Sequence, residues 1–192
     1  HGAIGLFCLS YSFNLLKLQY HFVDGTLRDD QIMHKAYYWG SLRCDTPWAL
    51  LASSMEALKH VGGDNGYDIA LFTGDLVAHD DPYRYSHDFV KYSEQAQFDM
   101  LKHYLGNTPL VPSLGNHDTT PLNCMAASQW YPDNLQYQWD WDLNYVAELW
   151  KNRGWVNDNA VKDIKVHHGA FSMKPRKTLR VVSLSTDFWE VA

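Results

Sequence analysis

The chain has 192 residues, which is enough for one domain with a full core and too short for two ordinary domains. Hydrophobic residues make up 46% of the sequence and charged residues 20%, as in globular rather than disordered proteins. The formal net charge of −6 argues against a nucleic-acid-binding protein, which needs a basic surface, and is compatible with a site for cations. No apolar run approaches the roughly 18 residues of a membrane span, so we expect no transmembrane segment.

Two features of the composition leave alternatives open. Aromatic residues reach 15%; packing accounts for most of them, but a groove that faces lipid or sugar is the alternative, so a peripheral membrane contact stays open. The three cysteines, Cys8, Cys44 and Cys124, are an odd number. One disulfide and a free thiol would fit a secreted chain, whereas three buried thiols would fit a cytosolic one, and the spacing does not decide the pairing.

The periodicity of apolar residues predicts alternating strands and helices. In chain order these are a strand at 15–22, a helix from 47 to 61, a strand at 68–73, a helix at 86–104, a strand at 110–114, a helix at 140–153, and a strand pair at 169–173 and 179–184. This order is typical of a layered α/β fold with a largely parallel inner sheet.

Local signals fix several ends of these elements. Asp45 or Thr46 can cap the first helix and Pro47 suits its first turn. The apolar stripe of that helix is predicted at Leu50, Leu51, Met55, Leu58 and Val61. The first helix is predicted to end at Gly62-Gly63-Asp64-Asn65-Gly66 and the second at Gly106-Asn107. The closing strands are predicted to turn at Lys174-Pro175-Arg176.

Polar residues follow the predicted strands at the points where they end. Gly74-Asp75 and then His79-Asp80 follow one strand, and Gly115-Asn116-His117-Asp118 follows the next. Because ligands bind outside the carboxyl ends of the strands in open α/β sheets, we expect these residues to form one site. His21, at the end of the first strand, and Thr186-Asp187, after the last, could join it.

These side chains favour metal chemistry. Imidazole, carboxylate and amide oxygen together suit zinc, manganese or iron. An aspartate at a strand tip can bridge two ions about 3.5–4 Å apart, a pair that polarises a phosphoryl group and activates a water molecule. The leaving alkoxide then needs a proton, which a histidine beside an amide ligand can donate.

Each of these residues also has an ordinary structural explanation when it is taken alone. Asp75 could cap a helix or end a turn, and Asn116 could occupy a turn after Gly115. His21 could be a half-buried strand residue, and His79 could lie in a surface loop. Short motifs often match by chance, so only the joint pattern favours a functional site.

The joint pattern resembles the calcineurin-like metallophosphoesterase family, whose motifs are Asp-x-His, a Gly-Asp followed by His-Asp, and Gly-Asn-His-Asp/Glu. The segments at 44–48, 73–80 and 114–123, with the strands at 169–172 and 179–185, further resemble the acid sphingomyelinase branch. The resemblance implies a layered metallophosphoesterase-type α/β sandwich at 15–192 after an N-terminal extension at 1–14. It also implies a phosphodiesterase of sphingomyelin-like or related substrates, in a secreted or lysosomal setting.

The resemblance further implies roles for individual residues. His21 would bind the first metal ion, Asp75 would bridge both ions and Asn116 would bind the second. His117 would be the proton donor, and His79 would hold the phosphate or the leaving group. The family uses two divalent ions, and zinc is the foremost candidate here.

Two departures from the family pattern put activity in doubt. Gln19 stands where a metal-binding aspartate is expected; Asp24 is a conceivable substitute in the wrong register. The family's later histidines, including a Gly-His-x-His loop, do not follow Leu184, and His167-His168 lies before the strand pair. We therefore expect the N-terminal part of a catalytic domain. It would be a fragment or one chain of a processed enzyme that needs a further segment or chain, or a non-catalytic relative that keeps the fold for binding or assembly.

Overall fold

The computed structural model describes residues 13–14, 38–40, 45–77, 86–119 and 140–185. Its strands are β1 (Phe13–Asn14), β2 (Thr46–Pro47), β3 (Ala70–Phe72), β4 (Leu110–Pro112), β5 (Phe171–Arg176) and β6 (Leu179–Ser183). Its helices are α1 (Trp48–Gly62), α2 (His87–Leu105), α3 (Asp140–Asn152) and α4 (Asp158–Val166), with a short 3₁₀ turn at Gly63–Asn65. The mixed order of helices and strands confirms the predicted α/β class.

The centre of the molecule is the parallel pair of β3 and β4, with Ala70 opposite Leu110 and Phe72 opposite Pro112. The backbone N–H of Ser113 donates to the carbonyl of Phe72 at 2.8 Å and continues the pairing beyond β4. Both strands are apolar and largely buried, as parallel strands covered on both faces must be. The predicted parallel inner strands are confirmed, and their carboxyl ends lie side by side.

The closing strands β5 and β6 form an antiparallel pair beside β4. The hydroxyl of Ser183 donates to the carbonyl of Pro112 at 3.0 Å and joins β6 to β4. The predicted turn at 174–176 is wrong, because β5 continues through these residues and the chain turns at Lys177-Thr178. An irregularity between Met173 and Arg176 accommodates Pro175, which has no N–H to donate to the ladder.

Helix α1 buries Leu51, Met55 and Leu58, as predicted, but Val61 is 67% exposed. At 100° per residue, Val61 lies about 80° around the helix from Leu51, outside the stripe. The predicted side-chain cap is also wrong: Pro47 is the N-cap and no side chain caps the helix. Thr46 is instead part of the short extended strand β2, which pairs in parallel with β1.

The remaining helices follow their capping signals. Ser86 caps α2 by accepting a hydrogen bond from the N–H of Phe89 at 3.2 Å, and Gly106, at φ 58°, ends it. Helix α3 has nearly the predicted bounds. Helix α4 is not among the predicted elements, although Asn157 caps it through the N–H of Ala160 and its buried residues have a helical spacing.

Aromatic residues join the helices to the sheet. The ring of Phe98 on α2 meets Phe72 of β3 edge to face, with ring centroids 5.5 Å apart. It makes similar contacts with Trp150 at 6.0 Å and Trp155 at 5.7 Å. These contacts place α2 against the β3–β4 pair, directly behind the strand ends.

Several predictions fall outside the described residues: the strand at 15–22 and the three cysteines Cys8, Cys44 and Cys124. Among the helices that are described, none combines the length and the apolar character needed to cross a membrane.

Candidate functional site

Two loops leave the carboxyl ends of β3 and β4 side by side. The first carries Gly74 and Asp75, which both adopt left-handed conformations, at φ 86° and φ 64°. The second carries Asn116 and His117, which like Asp75 are half-buried. A left-handed conformation is uncommon for a residue with a side chain and needs support from its surroundings.

The glycine of each motif is required by the close approach of the two loops. A Cβ atom on Gly115 would lie 2.8 Å from both Cγ and the backbone N of Asp75. A Cβ atom on Gly74 would lie 2.7 Å from a carboxylate oxygen of Asp118. The backbone N–H of His117 donates weakly to Oδ1 of Asp75 at 3.4 Å. The Asp75 carboxylate therefore sits against the second loop.

Asp118 holds the two loops together. Its side chain is fully buried; Oδ2 accepts hydrogen bonds from the N–H groups of Asp75 and Gly115, both at 2.8 Å. Its Oδ1 accepts a third from the N–H of Leu76 at 2.5 Å. The sequence pattern groups Asp118 with the converging metal donors, but in the structure its carboxylate binds the backbone of both loops.

The environment of Asp118 acts on its pKa in two directions. Burial, the larger effect, raises the pKa of this carboxyl to about 7, and the nearby carboxylate of Asp75 adds to the rise. The three backbone N–H groups act against this by stabilising the ionised form. The ionised form is the one that can accept all three hydrogen bonds.

Helix α2 supports the first loop from behind. Gln97 is buried, and its Nε2 donates to the carbonyl of Leu76 at 2.6 Å. The N–H and the carbonyl of Leu76 are thus bonded to two different side chains.

Two more buried acids, Glu94 of α2 and Asp142 of α3, lie behind Asp118. Burial raises the pKa of both, and the nearby carboxylates raise the pKa of Glu94 further; the ammonium of Lys91 opposes the shifts. Among the described residues outside this pair, the carboxyl oxygens of Glu94 and Asp142 have no hydrogen-bond partner. Burial therefore favours the protonated form of both carboxyl groups.

Sequence analysis missed Glu94, Gln97 and Asp142. The signal that could have found the first two is a helical spacing: positions 90, 94, 97 and 101 lie on one face of α2, and Val90 and Leu101 are buried apolar residues. Two polar residues within an apolar stripe indicate buried polar contacts.

The structure brings together the predicted residues Asp75, Asn116 and His117 on adjoining loops. The other predicted residues, His21 and His79, lie outside the described residues, as do Gln19, Asp80 and 186–187. Within the described ranges, no group of three or more His, Cys, Asp or Glu side chains could hold a metal ion. The Asp75 carboxylate and the Asn116 amide are nevertheless donors of the kind that divalent ions bind, so they fit one side of such a centre.

The chain is similar to known phosphoesterases. Residues 33–192 match the calcineurin-like phosphoesterase family. The chain is 29% identical to sphingomyelin phosphodiesterase of Bos taurus, over 80% of this chain and 23% of that protein. It is 32% identical to acid sphingomyelinase-like phosphodiesterase 3b of Mus musculus, over 79% of this chain and 30% of that protein. It is 28% identical to a cyclic GMP-AMP phosphodiesterase of Homo sapiens, over 79% of this chain and 30% of that protein.

The chain thus spans less than a third of the length of these relatives. The match nevertheless covers both loops of the site and all of the described helices. The resemblance inferred from the motifs is confirmed: the chain belongs to the calcineurin-like phosphoesterase family and is similar within it to the acid sphingomyelinase-like phosphodiesterases.

Proposed function

We propose that this chain contributes the Asp75 side of a metal-dependent phosphodiesterase site, which hydrolyses a phosphodiester by means of a metal-activated water molecule. The observation that carries the proposal is the contact between the Asp75 carboxylate and the loop that bears Asn116 and His117. The named relatives are phosphodiesterases, and the family they share with this chain implies divalent metal ions.

The metal ligands in this proposal are His21, Asp75 and Asn116, and the metal is zinc. When bound, the metal would supply Lewis-acid polarisation of the phosphoryl group and a nucleophile at neutral pH. Asp75 is suited to its role because its backbone is held in place while its carboxylate is only half-buried. Donors beyond the described residues, or on a further chain or segment, complete the coordination.

His117 is the proposed proton donor to the leaving alkoxide, and His79 orients the phosphate or the leaving group. His117 follows Asn116 directly, so a histidine at this position would lie beside the metal and its substrate. The names of the relatives cover a lipid, sphingomyelin, and a cyclic dinucleotide. Between them we propose a sphingomyelin-like phosphodiester as the substrate.

The proposal extends to the setting of the protein. We infer a catalytic domain at 15–192 preceded by an extension at 1–14, a secreted or lysosomal location, and a peripheral contact with a membrane that presents the substrate. The motif residues that match the acid sphingomyelinase branch support this inference. The alternative is a non-catalytic protein that keeps the fold for binding or assembly, and Gln19 favours it.

The proposal is tested with the full chain, loaded with zinc, manganese or iron and then dialysed. We expect bound metal and hydrolysis of bis-(p-nitrophenyl) phosphate, with Asp75→Ala lowering metal content at least tenfold because the main carboxylate ligand is gone. Asp64→Ala, which removes an exposed acid from the 3₁₀ turn, is the matched control and should leave both unchanged.

The outcome decides between the enzyme and the non-catalytic relative. A chain that holds no metal after loading and hydrolyses no phosphodiester would overturn the enzyme proposal for this chain. Sphingomyelin in vesicles and a cyclic dinucleotide, assayed in parallel, separate the substrates, and turnover of the dinucleotide alone would overturn the lipid assignment.

A further inference from the structure

Gln97 lies on the buried face of α2, outside every motif of the site, and 1% of its surface is exposed. We propose that Gln97 is a positioning residue for the metal centre. With Asp118 it clamps the Leu76 peptide groups and thereby holds Asp75 in its left-handed conformation, its carboxylate against the second loop. The consequence for metal binding rests on the proposed function, whereas the consequence for the loop does not.

Two side chains bind the backbone of Leu76. Oδ1 of Asp118 accepts from the N–H of Leu76 at 2.5 Å, and Nε2 of Gln97 donates to the carbonyl of Leu76 at 2.6 Å. Leu76 is fully buried, so its backbone groups are shielded from bulk solvent. Because a buried backbone group without a partner is costly, losing Gln97 would favour another orientation of the peptide group between Leu76 and Val77.

The conformation that the clamp supports is a costly one. Asp75 has φ 64°, where a residue with a side chain persists only if its surroundings hold it. Asp118 fixes the N–H of Asp75 at 2.8 Å and the N–H of Leu76, but it does not reach the carbonyl of Leu76. Among the described residues, Gln97 makes the hydrogen bond to that carbonyl.

The chemistry and the placement of Gln97 suit this role. A side-chain amide offers an N–H donor without adding charge, whereas an ionised carboxylate at this position could only accept. Gln97 also precedes Phe98, which is packed against Phe72 of β3, so its backbone is anchored to the strand that delivers Asp75. A residue on a packed helix positions a site more accurately than one on a loop.

The test compares Gln97→Met, which keeps the length and removes the donor, with Ser93→Ala as the matched control. Ser93 is also buried on α2, but its hydroxyl donates within the helix, to the carbonyl of Phe89. Amide hydrogen exchange is measured on metal-free chain, and zinc affinity by competition with a chelator. We expect Gln97→Met to speed exchange at Asp75 and Leu76 about tenfold and to weaken zinc binding about tenfold; Ser93→Ala should do neither.

A uniform change in exchange across the core, equal in both variants, would show that Gln97 only fills space and would overturn the proposal. If the wild-type chain binds no zinc, the proposed function fails, and the exchange at Asp75 and Leu76 still decides the role of Gln97. If Gln97→Met does not fold, Gln97→Asn replaces it, because it keeps the amide but is one methylene too short to reach Leu76. Unchanged exchange at Leu76 in Gln97→Asn would equally reject the clamp.

Discussion

Asp75 and Asp118 follow strand ends in similar motifs but have opposite roles. Asp75 is half-buried and turns its carboxylate to the second loop, whereas Asp118 is fully buried and uses its carboxylate to bind three backbone N–H groups. One aspartate is therefore available for a ligand because the other fixes the loops. Gly115 completes the arrangement, since its missing side chain makes room for Asp75.

At the residue scale we predict that Gly115→Ala weakens metal binding more than it weakens the fold. The added methyl would meet the Asp75 carboxylate and the Asp75 backbone N–H, so the carboxylate would have to shift. We expect zinc affinity to fall at least tenfold, with a loss of stability of about 1–3 kcal/mol from overpacking. Chelator competition and thermal unfolding measure the two effects.

Gly106→Ala is the control for Gly115→Ala. Gly106 has φ 58°, and no atom lies within 4 Å of the position that an added methyl group would take, so this change strains the backbone without touching the site. The stability of the Gly106→Ala variant should fall by about 1 kcal/mol, and its zinc affinity should be unchanged. Equal zinc affinities in the two variants would contradict the packing argument at Gly115.

At the scale of elements, α2 both supports the site and carries an unusual interface with α3. Its buried face presents Gln97 to the strand end and Glu94 to Asp142. The charged groups around this acid pair are Asp118, which disfavours ionisation, and Lys91, which favours it. Burial of this acid pair between α2 and α3 therefore favours its protonated form.

We predict that the stability of the chain falls as pH rises from about 4 to neutral. The unfolded carboxyls ionise near pH 4, whereas burial raises the pKa of Glu94 and of Asp142 in the folded chain. The folded state then holds protons that the unfolded state has lost, so stability is complete below the unfolded pKa and decreases above it. Each retained proton contributes at most about 1.4 kcal/mol per pH unit.

Thermal unfolding of metal-free chain between pH 4.5 and 8 measures this dependence. The melting temperature of Glu94→Gln should decrease less with pH than that of wild type, because glutamine keeps the shape of the side chain and has no carboxyl proton to retain. Glu56→Gln changes an exposed acid of α1 and should follow the wild-type curve. A wild-type melting temperature that rises over this range would refute the prediction.

On the scale of the whole molecule, one continuous core links the helices to the strand ends. The ring of Phe98 contacts the rings of Phe72, Trp150 and Trp155. Helix α2, strand β3, the end of α3 and the turn after it therefore share one aromatic cluster. The two loops of the site rest on this core and are joined to each other by Asp118. A ligand that bridges the loops should therefore stabilise the entire described domain.

We predict that zinc raises the melting temperature and that a chelator reverses the rise. Zinc at about one hundred times its dissociation constant adds about 2.7 kcal/mol. For a chain of this length that corresponds to roughly 5–10 °C. Asp75→Ala should abolish the shift, and an equal shift in that variant would mean that zinc binds to surface histidines instead.

Much of the fold could be predicted because its signals are local. Ser86 and Gly106 bound α2, and the apolar runs before Gly74 and Gly115 become the paired strands β3 and β4. The errors also have local causes: Val61 lies off the stripe of α1, and a strand irregularity accommodates Pro175. Helix α4 was missed although its cap and spacing are ordinary.

By itself, the sequence determined the α/β class, the family and the segments that carry the site, because periodicity, glycines and motif spacing are properties of short stretches. Only the tertiary structure decided which aspartate faces the site and which one holds the loops. The aspartates of Gly-Asp and Gly-Asn-His-Asp look equivalent in sequence. One hydrogen bond that distinguishes them runs from the N–H of Leu76 to Asp118, 42 residues away. The same holds for Gln97, whose partner is 21 residues away. Burial and long-range hydrogen bonds exist only once the chain has folded, and they assign these roles.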